Sequence, residues 1–213
     1  MLFNLVLKDF VLAKKCLVLL VIIAVGAPIF VTATVKFSSG GFLEFIIAAF
    51  YMEHMLLGTV AVAEEKYKGS ALLCTTPYTR NTLVKAKYIF SLVIFICTYI
   101  IYTITTFVVP IGIDRLNIFT FGMSLLFITI IWGIIIPTQY KFGYEKSKYI
   151  SIAVFFISIF TLPNLIKRLV SESSRIQILF PQVVQNMLPF FLALFIGLIS
   201  MIISIRIYSK KDL

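Results

Sequence analysis

The chain has 213 residues, of which 61% are apolar and only 13% charged, with 21 Phe and a formal charge of +10. Long apolar segments at that composition put it in the membrane class and exclude an ordinary soluble domain. The positive charge does not call for nucleic acid as a partner. The basic residues stand in short clusters beside apolar segments, where the positive-inside bias accounts for them.

In residues 1–15, Asn4, Lys8 and Lys15 fall close together on a helical wheel, while Leu2, Phe3, Leu5, Val6 and Phe10 spread over the rest. This predicts an interfacial amphipathic helix lying on the bilayer with its lysines at the headgroups, the alternative being a cytosolic extension of the first span. The segment does not read as a signal peptide. Its basic residues follow apolar positions, no small-residue cleavage site follows the next apolar run, and the N-terminus is expected to be retained.

An α-helix rises about 1.5 Å per residue, so a span across about 30 Å of hydrocarbon takes roughly 20 residues. Apolar runs of that order lie at Cys16–Val35, Phe42–Ala63, Tyr88–Pro110, Leu116–Pro137, Tyr149–Ile166 and Val184–Tyr208. The expected fold is therefore all-α, a polytopic membrane protein of six transmembrane helices in a single transmembrane domain over 1–213. The short connections 36–41 and 111–115 make antiparallel hairpins. Of the 19 Lys and Arg, all but Lys36, Arg115, Lys167, Arg168 and Arg175 fall on one side of such a membrane, which makes that side and both termini cytoplasmic.

Ser91, Thr98, Tyr102 and Thr105 share one face of the third span and are expected to pack against other helices or to line a wet cavity. Ser200 and Ser204 form a small-xxx-small pair suited to close helix contact. Pro28, Pro163 and Pro189 lie within spans and should kink them.

Glu53 and His54 fall at the middle of the second span, flanked by Tyr51 and Met55. A charge at the bilayer centre costs about 2.5–3.5 kcal/mol on insertion scales, so Glu53 must face protein, water or a partner. One reading is a structural hydrogen bond from a neutral Glu53 to a Tyr or Thr of the third span. The other makes Tyr51, Glu53, His54 and Tyr102 a cavity wall that attracts the cationic face of a cargo.

Residues 64–87 form the longest run without a membrane-length apolar segment, too short to bury a core of their own. The charges of Glu64, Glu65, Lys66, Lys68, Arg80, Lys85 and Lys87 flank the apolar centre Ala71-Leu72-Leu73-Cys74, and Pro77 interrupts any helix. The segment reads as two short helical pieces with an elbow, docking a partner through Leu72-Leu73.

Catalytic constellations are missing from the sequence. There is no G-x-x-x-x-G-K-[ST] P-loop. Glu64-Glu65 departs from the E-E-x-x-x-R of prenyl-protein endopeptidases at Gly69, and Gly122-Met-Ser124 lacks the second glycine of G-x-S-x-G. The one histidine makes a His-based triad or metal site improbable. Cys16, Cys74 and Cys97 show neither zinc nor disulfide spacing.

Two stretches carry a family resemblance. The run from Glu64-Glu65-Lys66 through Leu72-Leu73-Cys74-Thr75-Thr76-Pro77-Tyr78-Thr79-Arg80 to Lys85-Ala86-Lys87-Tyr88 resembles the segment after the second span of bacterial ABC exporter permeases of the second export type. Pro137-Thr-Gln-Tyr-Lys-Phe-Gly143-Tyr144-Glu145-Lys146 (loop 138–148) resembles that family's loop after the fourth span, with Cys74-Thr75-Thr76 departing from the commoner small-Leu-Pro wording. Within that family the chain resembles the small permeases that export phenol-soluble modulins and the related immunity transporters for antimicrobial peptides.

The resemblance implies a multi-pass subunit of the bacterial cytoplasmic membrane that pairs with a second copy of itself and exports an amphipathic peptide. It implies two cytosolic ABC ATPase subunits that bind ATP and Mg, with no cofactor in this chain. Coupling to the ATPase would fall on Leu72, Leu73, Pro77, Tyr78 and Arg80, with Gly143, Tyr144 and Glu145 as a second contact. The competing expectation is an ion-coupled secondary transporter or channel that uses Glu53 and His54.

Overall fold

The computed structural model describes residues 2–34, 41–67, 79–109, 115–154, 156–157 and 182–210. They form helices α1 (Leu2–Thr34), α2 (Phe42–Lys66), α3 (Arg80–Val108), α4 (Ile118–Phe142), α5 (144–154) and α6 (Gln182–Ser209), with no strand among the described residues. Four of these, α2, α3, α4 and α6, are long and apolar enough to cross a membrane. A fifth candidate is α1, whose parts Leu2–Lys14 and Cys16–Thr32 meet at a bend of 81°. That bend falls where the sequence changes from an amphipathic to a continuously apolar pattern. Most of the expected fifth span, Tyr149–Ile166, lies outside the described residues, as do the connections 36–40 and 110–114.

The central element is α2, with 61% of its most apolar window buried against 22% for α6. Phe45, Ala49, Met52, Leu56 and Val60 recur at helical spacing and are all buried, which draws α1, α3 and α4 around it. Phe45 also meets Phe95 and Tyr102 edge-on, with ring centroids 5.4 and 5.3 Å apart. The shared polar face of α3 is packed inward: Ser91, Thr98, Tyr102 and Thr105 are all buried. Tyr102 donates to the Gly41 carbonyl at 3.3 Å, where the φ of 77° before α2 requires glycine.

Helix boundaries shift where the connections were expected. Thr79 caps α3, its Oγ1 accepting from the Thr82 N–H, and buried Leu83, Val84 and Ala86 continue the inward face. The last residues of the 64–87 segment are therefore the first turns of α3. Likewise α4 runs through Pro137 to Phe142, and α5 follows directly after Gly143, whose φ is 81°. Little of the expected loop 138–148 is left outside helix.

Pro137 is tolerated because its missing hydrogen bond is replaced. Having no N–H, it leaves the Gly133 carbonyl free, and Ser200 of α6 donates to that carbonyl at 2.8 Å. The Tyr88 hydroxyl lies 2.6 Å from Ser200 Oγ and 2.8 Å from Ser204 Oγ. A serine hydroxyl has one proton, so the thread runs Ser204 to Tyr88 to Ser200 to the Gly133 carbonyl, joining α6, α3 and α4. The small residues that let α4 and α6 approach lie beside it. A Cβ on Gly133 would stand 3.5 Å from Ser200 Cβ, and one on Gly197 would stand 3.4 Å from Thr129.

Ser200→Ala is therefore expected to lower stability by about 1 kcal/mol, since it orphans a half-buried carbonyl and breaks the thread. Adding Pro137→Ala restores the backbone N–H and should recover part of that loss. Thermal unfolding in detergent that finds the two changes additive would show that Ser200 does not replace the missing bond.

Candidate functional site

The two regions expected to couple to a partner come together at one end of the bundle. Glu64 ends α2 and Lys87 lies in the early turns of α3, and both meet the first part of α1. Lys8 Nζ is 3.0 Å from Asp9 Oδ1 and 3.0 Å from Glu64 Oε1, while Lys87 Nζ is 3.1 Å from Glu64 Oε2 and 3.7 Å from Asp9 Oδ2. Two ammonium groups thus alternate with two carboxylates. The side chains of Asp9 and Lys87 are only 3% and 12% exposed, so water screens this cluster far less than a surface pair. Burial pulls the Lys8 ammonium down, but Glu64 and Asp9 outweigh it and leave the group above its ordinary value.

Arg80 adds a further tie, donating to the Ser209 carbonyl at 3.1 Å and to that of Tyr208 at 3.5 Å. A guanidinium there satisfies the open carbonyls at the C-terminus of α6 and lies at the negative end of its dipole. Gly143 and Tyr144 close the same end. A Cβ on Gly143 would lie 3.8 Å from Glu65 Oε1, and the Tyr144 hydroxyl stands 3.9 Å from where Gly58 would carry one. Burial, with Glu65 nearby, raises the Tyr144 hydroxyl. Glu145 is exposed next to them. Inside these contacts is a cavity of about 200 Å³ lined by Asp9, Glu64, Lys87, Tyr140, Tyr144 and Tyr208. Leu72, Leu73, Pro77 and Tyr78 lie outside the described residues.

A second site surrounds Glu53. Its side chain is fully buried and accepts a hydrogen bond from Ser91 of α3 at 3.0 Å, an interhelical tie made to a serine of the stripe and not to a Tyr or Thr. The Trp132 indole of α4 faces the same carboxyl group, which is thus held between Ser91 and Trp132. Both residues line a cavity of about 410 Å³ between α3, α4 and α6. Of the four residues expected to form one wall, only Glu53 lies in this lining. His54 stacks near Phe50 and Trp132 at 6.0 and 6.3 Å, Tyr51 is half-buried on α2, and Tyr102 serves the far end of the bundle.

The sequence reading passed over Asp9 and Trp132. An acid beside Lys8 in a mostly apolar segment was the signal for the first, and the one Trp of the chain, five residues before a proline, for the second. No group of three or more His, Cys, Asp or Glu able to hold a metal occurs among the described residues.

Long apolar helices packed around a buried acidic residue, with charges gathered at one end, define a multi-pass membrane protein. The chain belongs to the ABC-2 family of transporter proteins, whose family model matches residues 4–209. It is thus a transmembrane subunit of an ABC transporter and works in the membrane with an ABC ATPase. The comparisons with curated proteins and with solved structures returned no match.

Proposed function

We propose that this chain is the permease of an ATP-driven exporter that expels amphipathic or antimicrobial peptides of the phenol-soluble modulin kind. Two copies form the pathway in the bacterial cytoplasmic membrane, each with six spans and both termini inside. Each seats one ATPase on residues 64–87, through Leu72, Leu73, Pro77, Tyr78 and Arg80, with Gly143, Tyr144 and Glu145 as the second contact. The chain itself carries no catalysis, and ATP and Mg are bound by the ATPase.

The observation that carries this reading is how the two ends of the 64–87 segment are held. Glu64 and Lys87 share one charge cluster with α1, and Arg80 ties the segment to the end of α6. A displacement imposed on the segment by a docked ATPase is passed through these ties to α1 and α6 as well as to α2 and α3, which the segment joins. An ion-coupled carrier has no use for such an arrangement.

The test is reconstitution of the permease with its ATPase in proteoliposomes. ATP hydrolysis is expected to rise on addition of a cationic amphipathic helical peptide, and the peptide to move only when ATP is present. Movement driven by a proton or sodium gradient without ATP would replace this reading with the ion-coupled one. Native mass spectrometry of the active preparation should find two permeases, and a monomer there would overturn the paired pathway.

A further inference from the structure

The cavity between α3, α4 and α6 opens sideways as a groove, with a rim made by Ile89 and Leu92 of α3 and by Leu194 and Leu198 of α6, all exposed. Exposed apolar side chains on membrane-spanning helices face hydrocarbon. On α3 the lining runs from Lys85 to Phe95, about 15 Å along the helix, and on α6 it ends at Ala193, near the middle of Gln182–Ser209. The hydrocarbon core is about 30 Å thick, so the groove has the length of one leaflet.

The polar groups of its wall are already engaged with protein. Thr129 donates to the Leu125 carbonyl at 2.7 Å, the Tyr88 hydroxyl lies between those of Ser200 and Ser204, and Ser91 donates to Glu53. What the wall leaves to an occupant is apolar surface. The exception among the described residues is Lys85, exposed at the end of the groove where the charges of the bundle gather. Lys8 and Lys87, at that same end, are both paired with Asp9 and Glu64, whereas no carboxylate among the described residues stands within ion-pair distance of Lys85.

We infer that this groove seats an anionic phospholipid of the leaflet at the charged end, with one acyl chain lying between α3 and α6 and the phosphate accepting from Lys85. The wall selects the chain, since a body with polar atoms would be desolvated there without compensation. The length selects a lipid over a helix, because a spanning helix needs the full thickness of the hydrocarbon and the groove stops half-way. Lys85 selects the head. An ammonium at the interface forms a charge-assisted bond with a phosphate, and a head of net negative charge gains more from it than a zwitterionic one. The inference does not rest on the exporter reading, and neither ATPase nor peptide enters its test.

The experiment places the permease in phosphatidylcholine vesicles and follows the emission of Trp132, the one tryptophan of the chain, which lines the groove. Part of the lipid is replaced by phospholipid brominated on its acyl chains, which quenches an indole only at short range. Quenching is expected to saturate at a mole fraction about fivefold lower with brominated phosphatidylglycerol than with brominated phosphatidylcholine, the effect of one lysine on an anionic head. Lys85→Gln should bring the two lipids together. Lys148→Gln removes an equal charge from an exposed lysine outside the lining and should leave the preference as it is.

Equal quenching by the two lipids in the unmodified protein, or a preference that survives Lys85→Gln, would overturn the inference. So would loss of the preference with Lys148→Gln, which would make it a property of the charged end as a whole. Absence of quenching by either lipid would also overturn it, because the groove would then be filled by protein, either another segment of this chain or a second copy.

Discussion

Replacing Leu72 and Leu73 together by Ser is expected to weaken the complex of permease and ATPase by about two to four orders of magnitude. Burying one leucine contributes about 1.5–3 kcal/mol, and about 1.4 kcal/mol is a factor of ten in affinity. The two leucines form the apolar centre of a segment that is otherwise charged, and on the proposed reading that centre is covered by the ATPase. The substitutions leave every buried residue of α2 and α3 as it is, so the permease itself should purify in normal yield. Affinity of the purified ATPase for the vesicle-bound permease is the measurement. Full binding and normal peptide-stimulated hydrolysis by the double variant would remove residues 72 and 73 from the interface.

Lys87→Met should cost about 3 kcal/mol of stability, at the lower end of the range for breaking a buried ion pair. The lysine stands 3.1 Å from Glu64 and 3.7 Å from Asp9, and without it two carboxylates face the single ammonium of Lys8. The unbalanced charge, more than the lost attraction, sets that cost. Glu64→Leu placed in the same chain removes the excess carboxylate and leaves Lys8 paired with Asp9 at 3.0 Å. The double variant is therefore expected to be more stable than the sum of the single losses by at least about 1 kcal/mol, as groups in one network are not additive.

Thermal unfolding in detergent gives the cycle, and strict additivity would show that the four groups do not act together. The functional consequence can be separated from stability in the same double variant. If the cluster transmits movement from the 64–87 segment to α1, the folded double variant should bind the ATPase and hydrolyse ATP while exporting less peptide per ATP. Unchanged coupling would confine the cluster to holding the fold.

Element type and four of the six expected crossings were legible because one physical quantity governs both. Hydrocarbon thickness sets the length of apolar sequence a helix needs, and lipid leaves the backbone no alternative to helix. The starts of α2 and α4 and the end of α6 accordingly lie within about two residues of the apolar runs. The start of α3 and the end of α4 did not, because helix does not stop where hydrocarbon stops. The cap at Thr79 and the inward face of Leu83, Val84 and Ala86 start α3 well before its apolar run, and Pro137 ends α4 only if nothing replaces its lost bond.

By itself the sequence determined that the chain is a helical membrane protein, that charges gather on one side, and that Glu53 must be turned away from lipid. These follow from local composition and period. Tertiary structure alone decided which groups meet. Lys8 reaches Glu64 across 56 residues and Ser200 reaches the Gly133 carbonyl across 67, and neither separation leaves a periodic trace. It also decided that Glu53 faces Ser91 and Trp132 and not a wall shared with Tyr51 and Tyr102. Successive residues on a helix point about 100° apart, and the direction each one faces acquires a partner only when the other helices are packed around it.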